Sequence, residues 1–96
     1  TSWYDSVYIY SYAQPGTVLK VISPSTSIFV QVSGRSGFDP VIKVADYRGI
    51  IVKTIDQNLR GYGESGYASS TGYVHYVWIY DFWLTYSGTT TVYISR

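Results

Sequence analysis

The only histidine of the chain, His75, is the first candidate for acid–base or nucleophilic chemistry. A Ser-His-Asp or Cys-His device needs a partner that orients the base. Asp81 lies six residues further along the same predicted strand, which is about 20 Å at about 3.3 Å per residue. With one His and no Cys, a zinc site of the usual ligands is implausible. We therefore predict that His75 is a packed strand residue, and we predict no catalytic residue.

The run 61–66 (GYGESG) matches the G-x-G-x-x-G fingerprint of dinucleotide-binding proteins letter for letter. In those proteins the motif joins a strand to a helix whose N-terminus binds the pyrophosphate. Here a strand pattern begins at Tyr73, and no helical pattern follows the glycines. We predict instead a long loop from Gln57 to Gly72, with Tyr62 and Tyr67 in this flexible segment. A loop of this length is typically functional or mobile.

The chain has six carboxylates, none of which lies in a recognisable catalytic motif. They are Asp5, Asp39, Asp46, Asp56, Glu64 and Asp81. A glycosidase pair could form only through the fold, and aspartates beside turns, such as Asp46, normally have a backbone role. No cofactor is predicted. Calcium is the one ion that oxygen ligands at loop ends could serve, although no D-x-D-x-D-G loop is present.

The elements that must position these residues are strands, because apolar and polar residues alternate with a period of two. The segments with this pattern are 7–12, 17–23, 27–33, 41–45, 50–55, 73–83 and 89–95. A hairpin turn is predicted at 46–49 (DYRG). We predict one all-β domain over 1–96: an antiparallel β-sandwich of six to eight strands, jelly-roll or immunoglobulin-like. A barrel is the alternative.

The composition excludes several classes of partner. Charged residues make up only 14% and the net charge is +1, against about 25% charged residues in ordinary domains. No two of the seven Lys and Arg residues adjoin, so no nucleic-acid interface is predicted. No apolar run reaches the roughly 20 residues of a membrane span.

Cys and Met are missing and Asn and Gln are rare, which gives three further expectations. Without Cys, the domain must be stabilised by packing, by a metal or by association with neighbours. Without Met, the chain is expected to be processed or excised. The scarcity of Asn and Gln fits a thermophile.

Aromatic side chains alternate with aliphatic ones on three predicted strands, so burying one row leaves the other outside. If Val7 and Ile9 face the core, for example, Tyr8 and Tyr10 face outward. The predicted assembly or ligand surface consists of Trp3, Tyr8, Tyr10, Tyr12, Tyr76, Trp78, Tyr80 and Tyr93. Exposed apolar patches mark interaction sites, and Tyr and Trp suit them. The alternative is a two-faced core that contains the aromatics.

About half of the chain resembles the pre-peptidase C-terminal domains, small β-sandwiches appended to secreted proteases. The resemblance lies in 16–21 (GTVLKV), 38–46 (FDPVIKVAD), 49–52 (GIIV) and the ending from Ser87 to Ile94. It implies a β-sandwich that binds matrix or carbohydrate, or that aids secretion, and some domains of that family hold calcium. The tyrosine density departs from that family.

We predict a non-enzymatic extracellular structural protein that self-assembles into a filament, pilus, coat or surface layer. Its partners would be copies of itself, with Thr1–Tyr12 as the donor strand that pairs with a neighbour. The location would be extracellular, or on a cell or virion surface. The alternative is a carbohydrate- or matrix-binding accessory module of a secreted protein. In that case Tyr76, Trp78 and Tyr80 would stack on sugars beneath the Gln57–Gly72 loop.

Overall fold

The computed structural model describes residues 2–13, 15–70 and 72–96, which form eight strands. The strands are β1 (Ser2–Tyr10), β2 (Thr17–Ile22), β3 (Ser27–Val32), β4 (Pro40–Ala45), β5 (Ile51–Ile55), β6 (Glu64–Ser69), β7 (Val74–Asp81) and β8 (Ser87–Ser95). Across these described ranges, no helix is long and apolar enough to span a membrane.

The strands form two antiparallel four-stranded sheets. The first sheet has the order β1-β8-β3-β6 and the second has the order β2-β7-β4-β5. The pairs β1–β8, β2–β7, β3–β6 and β4–β5 nest like one long hairpin that is folded over on itself. This nesting is the jelly roll. The predicted antiparallel β-sandwich is therefore confirmed, with the jelly roll as its topology.

The core lies between the sheets and contains the aliphatic half of each alternating pattern. Ile9 and Val30 of the first sheet and Ile42 and Val77 of the second are fully buried. Each such side chain contributes about 1.5–3 kcal/mol on burial. The aromatic residues on the outward side of these strands remain half-buried or exposed. The core is therefore mainly aliphatic, with Phe38 as a fully buried ring that stacks on Tyr86.

The predicted hairpin joins β4 to β5, and Asp46 organises it. Its carboxylate accepts the backbone N–H groups of Arg48 and Ile50 at 2.9 and 3.1 Å. Gly49 has a φ of 84°, which only glycine adopts without strain. The Arg48 guanidinium lies 2.7 Å from the Asp46 carboxylate. This hydrogen-bonded pairing lowers the pKa of Asp46 below its ordinary value.

The prediction of a structureless loop from Gln57 to Gly72 is wrong, because β6 lies within it. Thr71 falls outside the described residues. The glycines here serve close packing: a Cβ on Gly63 would lie 2.5 Å from the Val32 carbonyl oxygen, and one on Gly66 would lie 2.9 Å from Ile55. Tyr67 is therefore a strand residue, and only Tyr62 lies in a turn.

Asp81 ties together the end of the sandwich where β7 finishes. Its carboxylate is fully buried and accepts the backbone N–H groups of Asp39 at 2.8 Å, Thr85 at 3.0 Å and Tyr86 at 3.2 Å. Its own N–H donates to the Ser11 hydroxyl at 2.7 Å. One side chain thus fixes both the segment before β4 and the connection from β7 to β8.

Replacing Asp81 with Ala should lower the free energy of unfolding by about 3 kcal/mol or more, because several N–H groups lose their acceptor. Urea denaturation measures this loss. The control is Asp5→Ala, at an exposed carboxylate, which should change stability by less than about 0.5 kcal/mol. Equal midpoints for the two variants would contradict the anchoring role.

Candidate functional site

The two sheets turn the predicted surface residues to different sides of the molecule. On the outer side of the first sheet lie Tyr8, Tyr10 and Tyr93, and on the outer side of the second sheet lie Tyr76, Trp78 and Tyr80. Tyr12 is exposed in the turn after β1. Trp3 points to the inner side, where it lines an open depression of about 250 Å³ with Leu19 and Ile94. The residues that the sequence assigned to one surface therefore lie on two separate surfaces, and Tyr12 and Trp3 lie on neither.

On the outer side of the first sheet, here named the tyrosine face, every strand residue is neutral. Strand register places the following side chains on it: Ser2, Tyr4, Ser6, Tyr8 and Tyr10 of β1; Ser27, Phe29 and Gln31 of β3; Ser65, Tyr67 and Ser69 of β6; and Ser87, Thr89, Thr91, Tyr93 and Ser95 of β8. Each side chain other than that of Phe29 carries a hydroxyl or an amide. The face therefore combines aromatic area with groups that donate and accept hydrogen bonds.

An aromatic row crosses all four strands of this face. Tyr4 lies opposite Tyr93 on the β1–β8 ladder, and Phe29 lies opposite Tyr67 on the β3–β6 ladder. The Phe29 ring centroid is 4.9 Å from that of Tyr67 and 6.2 Å from that of Tyr93, both distances typical of favourable ring pairs. The ends of the row are open, since Tyr4 is 74% and Tyr67 70% exposed.

The middle of the aromatic row borders a shallow groove. Phe29, Tyr67 and Tyr93 line this depression of about 390 Å³, together with Ser27, Ile28, Ser95 and the charged residue Arg96. Aromatic walls with a few hydroxyls could receive either a flat apolar surface or the ring of a sugar. Phe29 and Tyr67 were not among the residues predicted for this surface. The alternation that places Tyr67 there is disguised by the neighbouring glycines.

β1 is an edge strand of the first sheet in the described part of the chain, so one side of its backbone pairs with no neighbouring strand. At its end the Thr17 hydroxyl accepts the N–H of Tyr10 at 2.9 Å and donates to the Tyr8 carbonyl oxygen at 2.8 Å, so these two backbone groups are already bonded. The prediction that Thr1–Tyr12 is a free donor strand differs from the structure. β1 pairs with β8 along its whole length, and Ile9 is buried in the chain's own core. Thr1 lies outside the described residues. The open edge, rather than the apolar side chains of β1, is what a neighbour could use.

The outer side of the second sheet, here named the lysine–aromatic face, has a different character. Trp78 and Tyr80 are half-buried with ring centroids 4.7 Å apart. The Lys43 ammonium lies over both rings, at 5.6 and 5.8 Å from their centroids. A cation thus already covers the rings. The prediction that the Gln57–Gly72 segment covers these rings is wrong, because β6, which lies in that segment, belongs to the other sheet and faces away from Trp78.

Three carboxylates converge at one end of the sandwich and are here named the carboxylate cluster. Asp39 precedes β4, Asp56 follows β5 and Glu64 begins β6. One oxygen of each lies within 4.8 Å of the others. Sequence reasoning missed this grouping, because it depends on β6, which had been assigned to a loop.

The surroundings of the carboxylate cluster favour the protonated forms of Asp39 and Asp56. Burial raises the pKa of Asp39, and the charges of Asp56 and Asp81 raise it further. Partial desolvation also raises the pKa of Asp56, although its side chain is exposed, and the charge of Glu64 raises it further. The Glu64 carboxylate accepts the backbone N–H groups of Gln57 at 2.9 Å and of Asn58 at 2.6 Å.

His75 is buried and contacts the Ser70 hydroxyl at 3.1 Å and the Thr26 carbonyl oxygen at 3.2 Å, both through Nε2. Its other ring nitrogen, Nδ1, has no hydrogen-bond partner among the described residues. The contact therefore lacks the carboxylate that orients the base in a Ser-His-Asp triad. The pair instead joins the loops that precede β3 and β7.

The chain matches no protein-family model and no curated protein sequence.

The raised pKa values predict how the carboxylate cluster changes stability with pH in metal-free buffer. An acid whose folded pKa is raised holds its proton where the unfolded chain has lost it, so its contribution to stability falls as pH rises above 3.8. Asp56→Asn removes one of these groups and lessens the repulsion on the others. Its stability relative to wild type should therefore increase as pH rises toward neutrality.

Urea midpoints at a series of pH values give this difference directly. The matched control is Asp5→Asn, an exposed aspartate outside the cluster, whose difference from wild type should show no such rise over the same range. An Asp56→Asn difference that is flat or falls with pH would show that the three carboxylates do not repel one another in the folded protein.

Proposed function

We propose that this protein is a non-enzymatic structural subunit that assembles with copies of itself outside the cell, through the tyrosine face and the open edge of β1. A filament, pilus, coat or surface layer is the corresponding assembly. The observation that carries the proposal is that every strand residue on the tyrosine face is neutral, with Arg96 as a charged residue at the border of its groove. In an ordinary domain about a quarter of residues are charged.

A neutral face favours a second copy of the chain as its partner. The strand residues of two such faces meet without desolvating a charge and without like-charge repulsion. Their tyrosine, serine and threonine hydroxyls both donate and accept hydrogen bonds, so identical faces can satisfy each other. The rings of the aromatic row, open at Tyr4 and Tyr67, supply the apolar contact area.

The area of the tyrosine face indicates that it does not act alone. Four strands about 4.8 Å apart, each about 20–30 Å long, present roughly 400–600 Å². Two such faces bury less than the roughly 1,600 Å² of a standard stable interface. A second contact is therefore needed, and strand addition at the β1 edge supplies it by extending the first sheet. Contacts in two directions build open-ended assemblies.

The extracellular location belongs to the same proposal. A chain with 14% charged residues and a net charge of +1 has little charge repulsion to keep copies apart. Such a surface suits a subunit of a lattice or filament. The resemblance to pre-peptidase C-terminal domains and the thermophilic habitat stay predictions.

The groove beside Phe29 favours glycan binding as a second candidate function. Its aromatic walls, formed with Tyr67 and Tyr93, are flanked by the Ser27 and Ser95 hydroxyls. Sugars present apolar C–H faces to rings and hydroxyls to polar groups. The ligand would lie on the tyrosine face rather than on the lysine–aromatic face, where the Lys43 side chain covers the rings.

Removing both ends of the aromatic row tests self-assembly. The double variant Tyr4→Ser/Tyr67→Ser should weaken association at least about tenfold, as expected for contact aromatics. Light scattering after size-exclusion chromatography and negative-stain microscopy measure the assembly state. The control is Tyr47→Ser/Tyr62→Ser, which removes two exposed tyrosines outside the tyrosine face.

Association that is lost in the first variant and kept in the control supports the proposal. Wild-type protein that stays monomeric at millimolar concentration excludes it. If that monomer shows chemical-shift changes with glycans, and Tyr67→Ser removes them, the groove is a glycan site instead.

A further inference from the structure

We propose that the carboxylate cluster of Asp39, Asp56 and Glu64 is a binding site for a divalent cation, and that Ca²⁺ is the ion it fits best. The three residues come from three different strand ends. Their joint placement follows from the jelly roll, which brings the start of β4, the end of β5 and the start of β6 to one end of the sandwich.

The first independent indication of a ligand is the state of Asp39. Its side chain is only 8% exposed, and its Oδ1 atom has no hydrogen-bond partner among the described residues, although a hydrogen bond from the Trp83 side chain to the carboxylate lowers its pKa. Burying an anionic oxygen without a partner is costly, and native structures seldom tolerate it. A cation held between this carboxylate and its two neighbours would satisfy the oxygen.

Glu64 is already oriented for such a role. Backbone N–H groups of Gln57 and Asn58 hold its carboxylate from one side. Because Oε1 accepts a single N–H, it keeps a lone pair for another partner. Hydrogen bonds that fix a ligating carboxylate from behind are the usual support of a metal site.

Nearby positive side chains compensate the negative charge of the carboxylate cluster only in part. Arg60 is the nearby cation, and its charge lowers the pKa of Asp39. However, its guanidinium lies over the Trp83 ring, 5.2 Å from the centroid. It forms no ion pair with the three carboxylates in the described part of the chain. A bound cation would therefore meet three carboxylates that no ion pair of the described residues occupies, with the Arg60 charge near enough to act on Asp39.

The donor set and its spread favour calcium. All three ligands are hard carboxylate oxygens, which calcium prefers and which suit zinc less well. Oxygens bound at about 2.4 Å from one calcium ion lie at most about 4.8 Å apart, and those of the cluster lie within 4.8 Å. Asp56 is exposed, so water can supply the remaining ligands. Magnesium requires shorter bonds and stricter octahedral geometry.

A cation here would act as a cross-link between the sheets. Asp39 and Asp56 adjoin strands of the second sheet, whereas Glu64 begins an edge strand of the first. The chain has no cysteine, so no disulfide can serve this purpose. The bound ion would oppose the separation of β6 from β5, where no backbone ladder connects the two sheets.

Calcium titration of chelator-treated protein tests the site, with calorimetry for binding and thermal melting for stability. At a calcium concentration ten times the dissociation constant, the melting temperature should rise by about 6–10 °C. Magnesium should produce a smaller rise. Sodium chloride of equal ionic strength should produce none, since screening alone does not bridge carboxylates.

Asp56→Asn is the test variant, because its exposed side chain can change without unfolding the protein. In chelator it should melt at or above the wild-type temperature, since repulsion is relieved. In calcium it should melt below wild type and show at least tenfold weaker binding. The control Asp5→Asn should bind calcium as wild type does.

Three results would overturn the proposal: no melting shift of the wild type with calcium, an equal shift with sodium chloride, or unchanged calcium binding in Asp56→Asn. None of them bears on self-assembly through the tyrosine face, which contains no member of the carboxylate cluster. The assembly state of Asp56→Asn, measured in chelator, separates the two proposals.

Discussion

The two four-stranded sheets enclose a single core, which can bury the side chains of only one side of each sheet. This constraint determines the rest of the structure. Each strand alternates between its two sides, so half of its side chains face the interior and half face outward. The aliphatic half, exemplified by Val30 and Val77, fills most of the interior, together with Phe38. The aromatic half is consequently left on the two outer surfaces. Any account of what the protein binds must begin from these outward-facing rings.

The aromatic rings are partly covered on one outer surface and exposed on the other. On the lysine–aromatic face, Trp78 and Tyr80 lie half-buried beneath the Lys43 side chain, and a cation–π contact covers them within the chain. On the tyrosine face the rings of the aromatic row contact each other, and Tyr4 and Tyr67 extend into solvent. This asymmetry is why a partner is proposed for one face and not for the other.

Sequence reasoning reaches as far as the period-two pattern is readable. It predicts the sandwich, the hairpin at Asp46 and the outward direction of Tyr8 and Tyr10, because alternation and turn residues are local signals. It fails at β6, where glycines at 63 and 66 serve close contacts with Val32 and Ile55 yet look like loop residues. The carboxylate cluster depends on β6, so an error of one strand hides a whole site.

β6, the strand that sequence reasoning missed, links the carboxylate cluster to the tyrosine face, because it carries both Glu64 and Tyr67. Its inward-facing residues are Glu64, Gly66 and Ala68, which bury little apolar surface compared with the valines and isoleucines of β3. As an edge strand it has one ladder, to β3, and otherwise depends on the bonds of Glu64 at its first residue. A cation at Glu64 would therefore stabilise the strand that carries Tyr67, the open end of the aromatic row. Occupancy of the carboxylate cluster would then influence how rigidly the tyrosine face is presented, although the two sites share no residue.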